Sequence, residues 1–269
     1  MCVSAAAASF SETVLYAGRL HHPVHGHTEV LGYQNTAVNR ARGANALLLH
    51  LPAAGLTRGN LVPVGHDGEF LQRMLDAVRG PRPLSRAGTR SLSAPAAAAV
   101  QVFEHDVYTV VLAEDPRLIP AALGQVPHRR RPGIADDLFG FYADRFPRHT
   151  VALCCFDNTD ARRAKPLVFR YPVPDPDVIV LPTVDAHTGG APELGALVAV
   201  DHWLIFGSDE APPGWGRPVP PPPAGGGELG GYLPDRAAGI PLTGRMPNGD
   251  TAIAVPDLHA GRLDRVYRV

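Results

Sequence analysis

Asn45-Ala46-Leu47-Leu48-Leu49-His50-Leu51, closed by Pro52, is a nearly unbroken apolar run of strand length. A run this short, without polar alternation, is the pattern of a strand buried on both faces. Two β-rich stretches precede it. Thr13-Val14-Leu15-Tyr16-Ala17-Gly18-Arg19 is dense in β-formers. Residues 28–38 alternate, with Val30, Gly32, Gln34 and Thr36 on one face and Leu31, Tyr33 and Asn35 on the other. The connections between these runs are short and hold Gly or Asn, which predicts an antiparallel meander.

Beyond Pro52 the periodicity changes. Phe70, Leu71, Met74, Leu75 and Val78 recur at helical spacing and predict a helix over 66–78, with Asp67 available to cap it. Residues 80–95 read as a Pro- and Arg-rich loop. Residues 100–112 predict a hairpin turning at His105-Asp106, and 116–124 a short helix opened by a proline. Ile134, Leu138, Phe141 and Tyr142 form the stripe of a helix over 134–146. Strands are expected at 150–156, 167–171, 178–181 and 198–206, with weaker strand signals at 251–255 and 264–269. Strand clusters with a few interposed helices give an α+β class, mostly antiparallel sheets with a few packed helices, for which a layered sandwich is one available arrangement. The composition divides the chain into a main domain over 1–210, a Pro/Gly-rich linker or cover over 211–235, and a C-terminal β segment over 236–269 that packs back on the main domain.

The bulk numbers exclude several function classes. A net charge of −1 over 269 residues supplies no field for nucleic acid or anionic lipid. The basic knot His128-Arg129-Arg130-Arg131 reads as a solvated loop. The N-terminal stretch lacks a positive secretory n-region before Arg19, and no apolar run reaches the ~20 residues of a membrane span. Three cysteines, two of them adjacent at Cys154 and Cys155, form no disulfide framework, so a reducing cytoplasm is expected. Lys165 is the one lysine among 25 basic residues, which reads as the composition of a high-GC bacterial genome.

Chemistry-bearing residues fall in a few places. Cys2 becomes the N-terminus if Met1 is trimmed, placing a thiol and an amine that titrates near pH ~8 on one residue. Met1-Cys2 followed by Tyr16-Ala17-Gly18-Arg19 resembles the cysteine branch of the N-terminal-nucleophile hydrolases, such as bile salt hydrolases and penicillin V acylases. The resemblance covers about twenty residues. It implies Cys2 as nucleophile with its amine as base, Arg19 lowering the thiol pKa, and Asn35 and Asn158 as the oxyanion-hole amides to test. The family places an aspartate three residues beyond that arginine, where this chain has His22. No cofactor is expected of that chemistry.

The His21-His22-Pro23-Val24-His25-Gly26-His27 stretch offers metal ligands, with His25 and His27 on one side if the segment is extended. Asp185-Ala186-His187 has the same two-residue spacing and follows a buried strand. The two pairs together would hold a divalent metal such as zinc. Asp185 and His187 alone would form an orienting pair for acid–base work, as would Asp201 with His202. Cys154 and Cys155 read as core. Gln34 and Asn35 face a cleft or tie down a neighbouring strand. The expected activity is an amide hydrolase or acyl-transfer enzyme on a small-molecule or peptide substrate. The rivals are a metal-dependent enzyme, and a non-catalytic binding or scaffolding protein docking a partner on its Pro-rich segment. The sequence leaves oligomeric state open.

Overall fold

In the computed structural model, residues 3–40, 43–80, 99–157, 164–222 and 227–269 are described. In chain order the strands and helices are β1 (Val3–Ser4), β2 (Ala8–His22), β3 (Gly26–Asn39), β4 (Asn45–Leu51), α1 (Phe70–Arg79), β5 (Val100–His105), β6 (Tyr108–Ala113), α2 (Ile119–Ala122), α3 (Asp136–Arg145), β7 (Thr150–Phe156), β8 (Leu167–Pro172), β9 (Val178–Leu181), β10 (Leu197–Ser208), β11 (Arg217–Pro218), β12 (Arg236–Pro247), β13 (Thr251–Ala254), α4 (Val255–His259) and β14 (Tyr267–Arg268). The chain is α+β. The sheets are mostly antiparallel and the helices few.

Five strands form one sheet in the order β1-β4-β7-β6-β5, and six form a second in the order β11-β12-β10-β2-β3-β8. Their apolar faces meet: Leu15, Leu31 and Phe206 of the second sheet share a core with Leu47, Leu49 and Cys154 of the first. The outer face of the five-stranded sheet is covered by α2 and α3 through Ile119, Leu138 and Tyr142. The outer face of the six-stranded sheet is covered by α1 through Phe70, Leu71 and Met74. The layers therefore run helix, sheet, sheet, helix. A third sheet, β14-β13-β9, closes one end. This is why β4 and β7 are buried on every residue and mostly apolar: each lies between two cores. Among the described residues no helix is long and apolar enough to cross a membrane.

Several boundaries differ from the sequence reading. α1 starts at Phe70 rather than residue 66, because Asp67 does not cap it; the Asp67 carboxylate is buried against the Arg73 guanidinium instead. The 116–124 helix is a single α turn, α2, between 3-10 turns. The 80–95 loop lies outside the described residues, apart from Gly80. The 211–235 segment includes β11, which pairs with β12, and buries Trp215, Leu229 and Tyr232. The 236–269 segment, expected as β with signals at 251–255 and 264–269, opens with a long strand, β12. It pairs with β10 from Leu197↔Pro247 to Gly207↔Ala237, inside the main sheet. Its Gly239, Pro241 and Gly244 hide it from β-propensity. Proline is tolerated there because β11 covers only Arg236 and Ala237, so the rest of β12 is a sheet edge.

Candidate functional site

The residues 182–190 leave β9 and cross one end of the six-stranded sheet. An Asn-Gly turn fixes them from below. Asn248 Oδ1 accepts the Asp185 N–H at 2.8 Å, and Asn248 Nδ2 donates to the Asp185 carbonyl at 2.8 Å and the Glu193 carbonyl at 3.0 Å. Asp250 Oδ1 accepts the Thr183 N–H at 2.8 Å. The N-terminal segment holds the other side. Val3 bridges Ala186 in parallel, the Ser4 N–H donates to the Ala186 carbonyl at 2.9 Å, and the Ala8 N–H donates to the His187 carbonyl at 3.2 Å. Gly189 makes this closeness possible. Its φ is +91°, and a Cβ there would sit 2.7 Å from the Ala5 carbonyl oxygen.

Asp185 and His187 flank Ala186 and come together, with His187 Nε2 3.0 Å from Asp185 Oδ1. The contact is a close approach rather than an aligned hydrogen bond. Asp185 is buried, whereas a third of the His187 side chain is exposed. The His187 ring lies tilted against Phe10, centroids 5.1 Å apart. The pair opens on a cleft of about 480 Å³ lined by Phe10, Thr13, Asp185, His187, Asp201 and His202. His202 pairs with Thr13 across the parallel β10–β2 ladder. It is 2% exposed, and its Nδ1 is buried with no hydrogen-bond partner. A buried unpaired ring nitrogen costs about 1–3 kcal/mol unless something in the cleft satisfies it. One wall thus presents an imidazole beside a buried carboxylate and a second imidazole with an unpaired nitrogen, beside the apolar ring of Phe10. That set can move a proton on a bound carbonyl or amine substrate.

The other residues singled out in the sequence go elsewhere. Cys2 and Asn158 lie outside the described residues. Arg19 is 1% exposed and does not serve the cleft. Its guanidinium donates to Glu29 Oε2 at 2.8 Å and to the carbonyls of Asp175, Pro176 and Val178 at 2.8, 2.7 and 3.1 Å. Thr13 and Arg19 are six residues apart on β2, roughly 20 Å at the strand rise. Arg19 is therefore a structural ion, and the cation that the resemblance assigns to the thiol is spent on Glu29 and a loop. Asn35 stays in β3, half-buried and not among the residues that line the cleft, and donates to the Tyr33 hydroxyl at 2.7 Å. Cys154 and Cys155 are core, as expected, and burial pushes both thiol pKa values well up, that of Cys155 to about 12.

The grouping of His25 and His27 with Asp185 and His187 is not formed. His25 belongs to the turn before β3, where Gly26 at φ +67° breaks the extended path, so His25 and His27 part. His25 stacks on His22, centroids 4.8 Å apart, whereas His27 stacks on His21 at 4.6 Å. The Asp185–His187 pair lies beside Phe10, eleven residues down β2 from His21, about 35 Å along an extended strand. His27 instead shares its surroundings with His21 and Glu210, whose ligand atoms all lie within 4.8 Å of one another.

Sequence reasoning missed Asn248 and Asp250. Asp250 also meets His50 Nε2 through both oxygens, at 3.0 and 2.8 Å. That pair is packed against Phe146, Tyr142 and His149, and Asp250 holds the backbone N–H groups of Thr183 and Val184 rather than meeting a ligand. The available signal was Asn248-Gly249-Asp250, a turn whose side chains can bond backbone groups.

No family model and no curated protein matches the chain. Solved structures of baculovirus P35 are similar to it at a low level. One has 12% identity and a TM-score of 0.43, covering 74% of this chain and 64% of that one. A mutated P35 after caspase cleavage has 12% identity and a TM-score of 0.40, covering 73% and 66%. Likeness at that level transfers neither mechanism nor partner to this chain.

Proposed function

We propose that the protein is an amide hydrolase or acyl-transfer enzyme working at the Asp185–His187 cleft, with the Cys2 thiol as nucleophile. The observation that supports it is the bridge of Val3 to Ala186, which brings the residue next to Cys2 onto the backbone between Asp185 and His187. His187, held by Asp185, takes the thiol proton as sulfur bonds to the substrate carbonyl carbon. Collapse of the tetrahedral adduct breaks the carbon–nitrogen bond, and the leaving amine receives that proton. Water, deprotonated by His187, then attacks the thioester carbonyl; the carbon–sulfur bond breaks and His187 returns the proton to the departing thiolate, and an amine in place of water gives transfer. His202, on the same cleft wall with an unpaired Nδ1, is the residue we assign to bonding the substrate. A thiol nucleophile suits a reducing compartment, and the apolar floor at Phe10 suits an acyl chain or apolar side chain.

The test is a panel of N-acyl amides and activated esters, with the trapped enzyme digested and weighed. An acyl adduct on the peptide containing Cys2 is expected, together with a loss of kcat of at least about 10²-fold in His187→Gln. Full turnover by Cys2→Ala, with no adduct on that peptide, would remove the thiol from the mechanism.

A further inference from the structure

The far end of β2 carries a second group of chemistry-bearing side chains, independent of the cleft. The β2–β3 register sets Arg19 opposite Glu29 and His21 opposite His27. These four share one face of the hairpin. At Arg19 and Glu29 that face is buried and the two side chains bond each other. Two residues farther out it reaches solvent, with the His21 and His27 side chains 62% and 36% exposed.

The chain after β10 supplies a third ligand type. β10 runs parallel to β2, and its last residue, Ser208, pairs with Arg19. The chain then turns under tight control. The Asp209 N–H donates to the Arg19 carbonyl at 3.1 Å, Asp209 Oδ2 accepts the His21 N–H at 2.9 Å, and Ser208 Oγ accepts the Glu210 N–H at 3.2 Å. Glu210 is thereby held beside the histidine pair, its Oε1 3.4 Å from His27 Nε2 and 3.9 Å from His21 Nδ1. A tetrahedral zinc with bonds of about 2.0–2.2 Å places its ligand atoms about 3.4 Å apart. One of these spacings already has that value, the second must close by a fraction of an ångström, and the third, between the two rings, lies within 4.8 Å. His27 Nε2 is itself shielded from water and makes no hydrogen bond.

We propose that His21, His27 and Glu210 bind one zinc ion, with the fourth position open to water. The two rings lie parallel, 2° apart. An ion shared by both must lie near each ring plane, so each ring turns about χ2 on binding, a soft torsion at exposed side chains. His22 and His25 take no part. His22 Nδ1 accepts the N–H groups of Val24 and His25 at 3.2 and 3.3 Å, and the His22 ring stacks on Tyr232. The ion ties the tip of the β2–β3 hairpin to the turn after β10. Because the three ligands meet only in the folded chain, zinc stabilises it by mass action.

Tag-free protein titrated with zinc chloride, by calorimetry and by thermal unfolding, tests this without reference to catalysis. One zinc per chain and a rise in Tm are expected. Affinity should fall more than about tenfold in His27→Ala and in Glu210→Gln, and persist in the double variant His22→Ala, His25→Ala. All these side chains lie at the surface, and circular dichroism establishes that each variant is folded. Absence of stoichiometric binding, unchanged affinity in both ligand variants, or loss of binding in the His22, His25 double variant would overturn the assignment.

Discussion

Replacing Arg19 by methionine separates a structural ion from a catalytic one. The guanidinium is almost wholly buried and makes four hydrogen bonds, one to Glu29 and three to carbonyls of the loop entering β9. Breaking a buried pair from one side costs about 3–5 kcal/mol, because the remaining charge is stranded. Here the stranded group titrates. Burial pushes the Glu29 carboxyl up to about 7, against the hydrogen bond and positive charge of Arg19 and a hydrogen bond from Tyr171. The folded protein therefore holds a proton on Glu29 between about 4.5 and 7 that the unfolded chain has lost, and this group's contribution to stability falls as pH rises through that window. Without Arg19 the carboxyl pKa moves higher still. At pH 8 the variant must bury a bare charge or take up a proton, and about 4 kcal/mol should be lost. At pH 5 the carboxyl is neutral in both proteins. The loss then shrinks to the unpaired loop carbonyls, about 2 kcal/mol. Urea unfolding followed by circular dichroism at both pH values reads the difference. Adding Glu29→Gln should recover part of the loss at pH 8 and little at pH 5. Equal losses at the two pH values, or unchanged stability with lost turnover, would refute the structural assignment and return Arg19 to the site.

Other consequences can be checked with simple measurements. Burial lowers the pKa of His105 and His149 to about 4, so the folded chain sheds protons that the unfolded one keeps below about 6.5. Their contribution is present above that pH and lost towards 4, at up to about 1.4 kcal/mol per unit each, less for the partly exposed His149, with Glu29 opposing. His149→Phe should flatten the acid limb of a stability–pH curve. Gly189→Ala forces a side chain at φ +91° against the Ala5 carbonyl, so a loss of at least about 1 kcal/mol is expected together with a larger fall in turnover than in stability, read by urea unfolding and kinetics side by side. Cys154 and Cys155 should resist iodoacetamide in the folded protein and react after unfolding, because burial suppresses both thiolates; peptide mapping then assigns native labelling to Cys2.

How much of this was legible depended on whether a residue's role is set locally. β4 and β7 could be read directly, since a strand between two cores is buried at every position and so carries a mostly unbroken apolar run. The hairpin β5–β6 and its turn at Asp106 followed from local pattern as well. β12 did not, because an edge strand tolerates Gly and Pro and so lacks the signature. In the site, Asp185 and His187 were readable because two positions apart on an extended segment face one way. Arg19 was not, since the same arginine suits an active site or a buried pair until the register puts Glu29 opposite it. His27 was a candidate ligand from the sequence, but its neighbours were misjudged for the same reason: one residue more or less in the turn would change its partner across the hairpin.

That dependence on register places β2 at the centre of both sites. One end of the strand carries Phe10 and Thr13 into the cleft, the middle carries Leu15, Ala17 and Arg19 through the core, and the far end carries His21 to the surface. Its neighbours are distant in sequence: β10 lies beside it in parallel, contributing His202 at the cleft end and leading to Glu210 at the other. A single slip of the β10–β2 ladder would turn every β10 side chain to the opposite face. It would bury Asp201 in place of the sheet's apolar residues and withdraw His202 from Thr13. The core opposes such a slip, because Leu204 and Phe206 would leave it together, at about 1.5–3 kcal/mol for each buried side chain. The same apolar residues that hold the sandwich together thus fix the alignment of both polar ends.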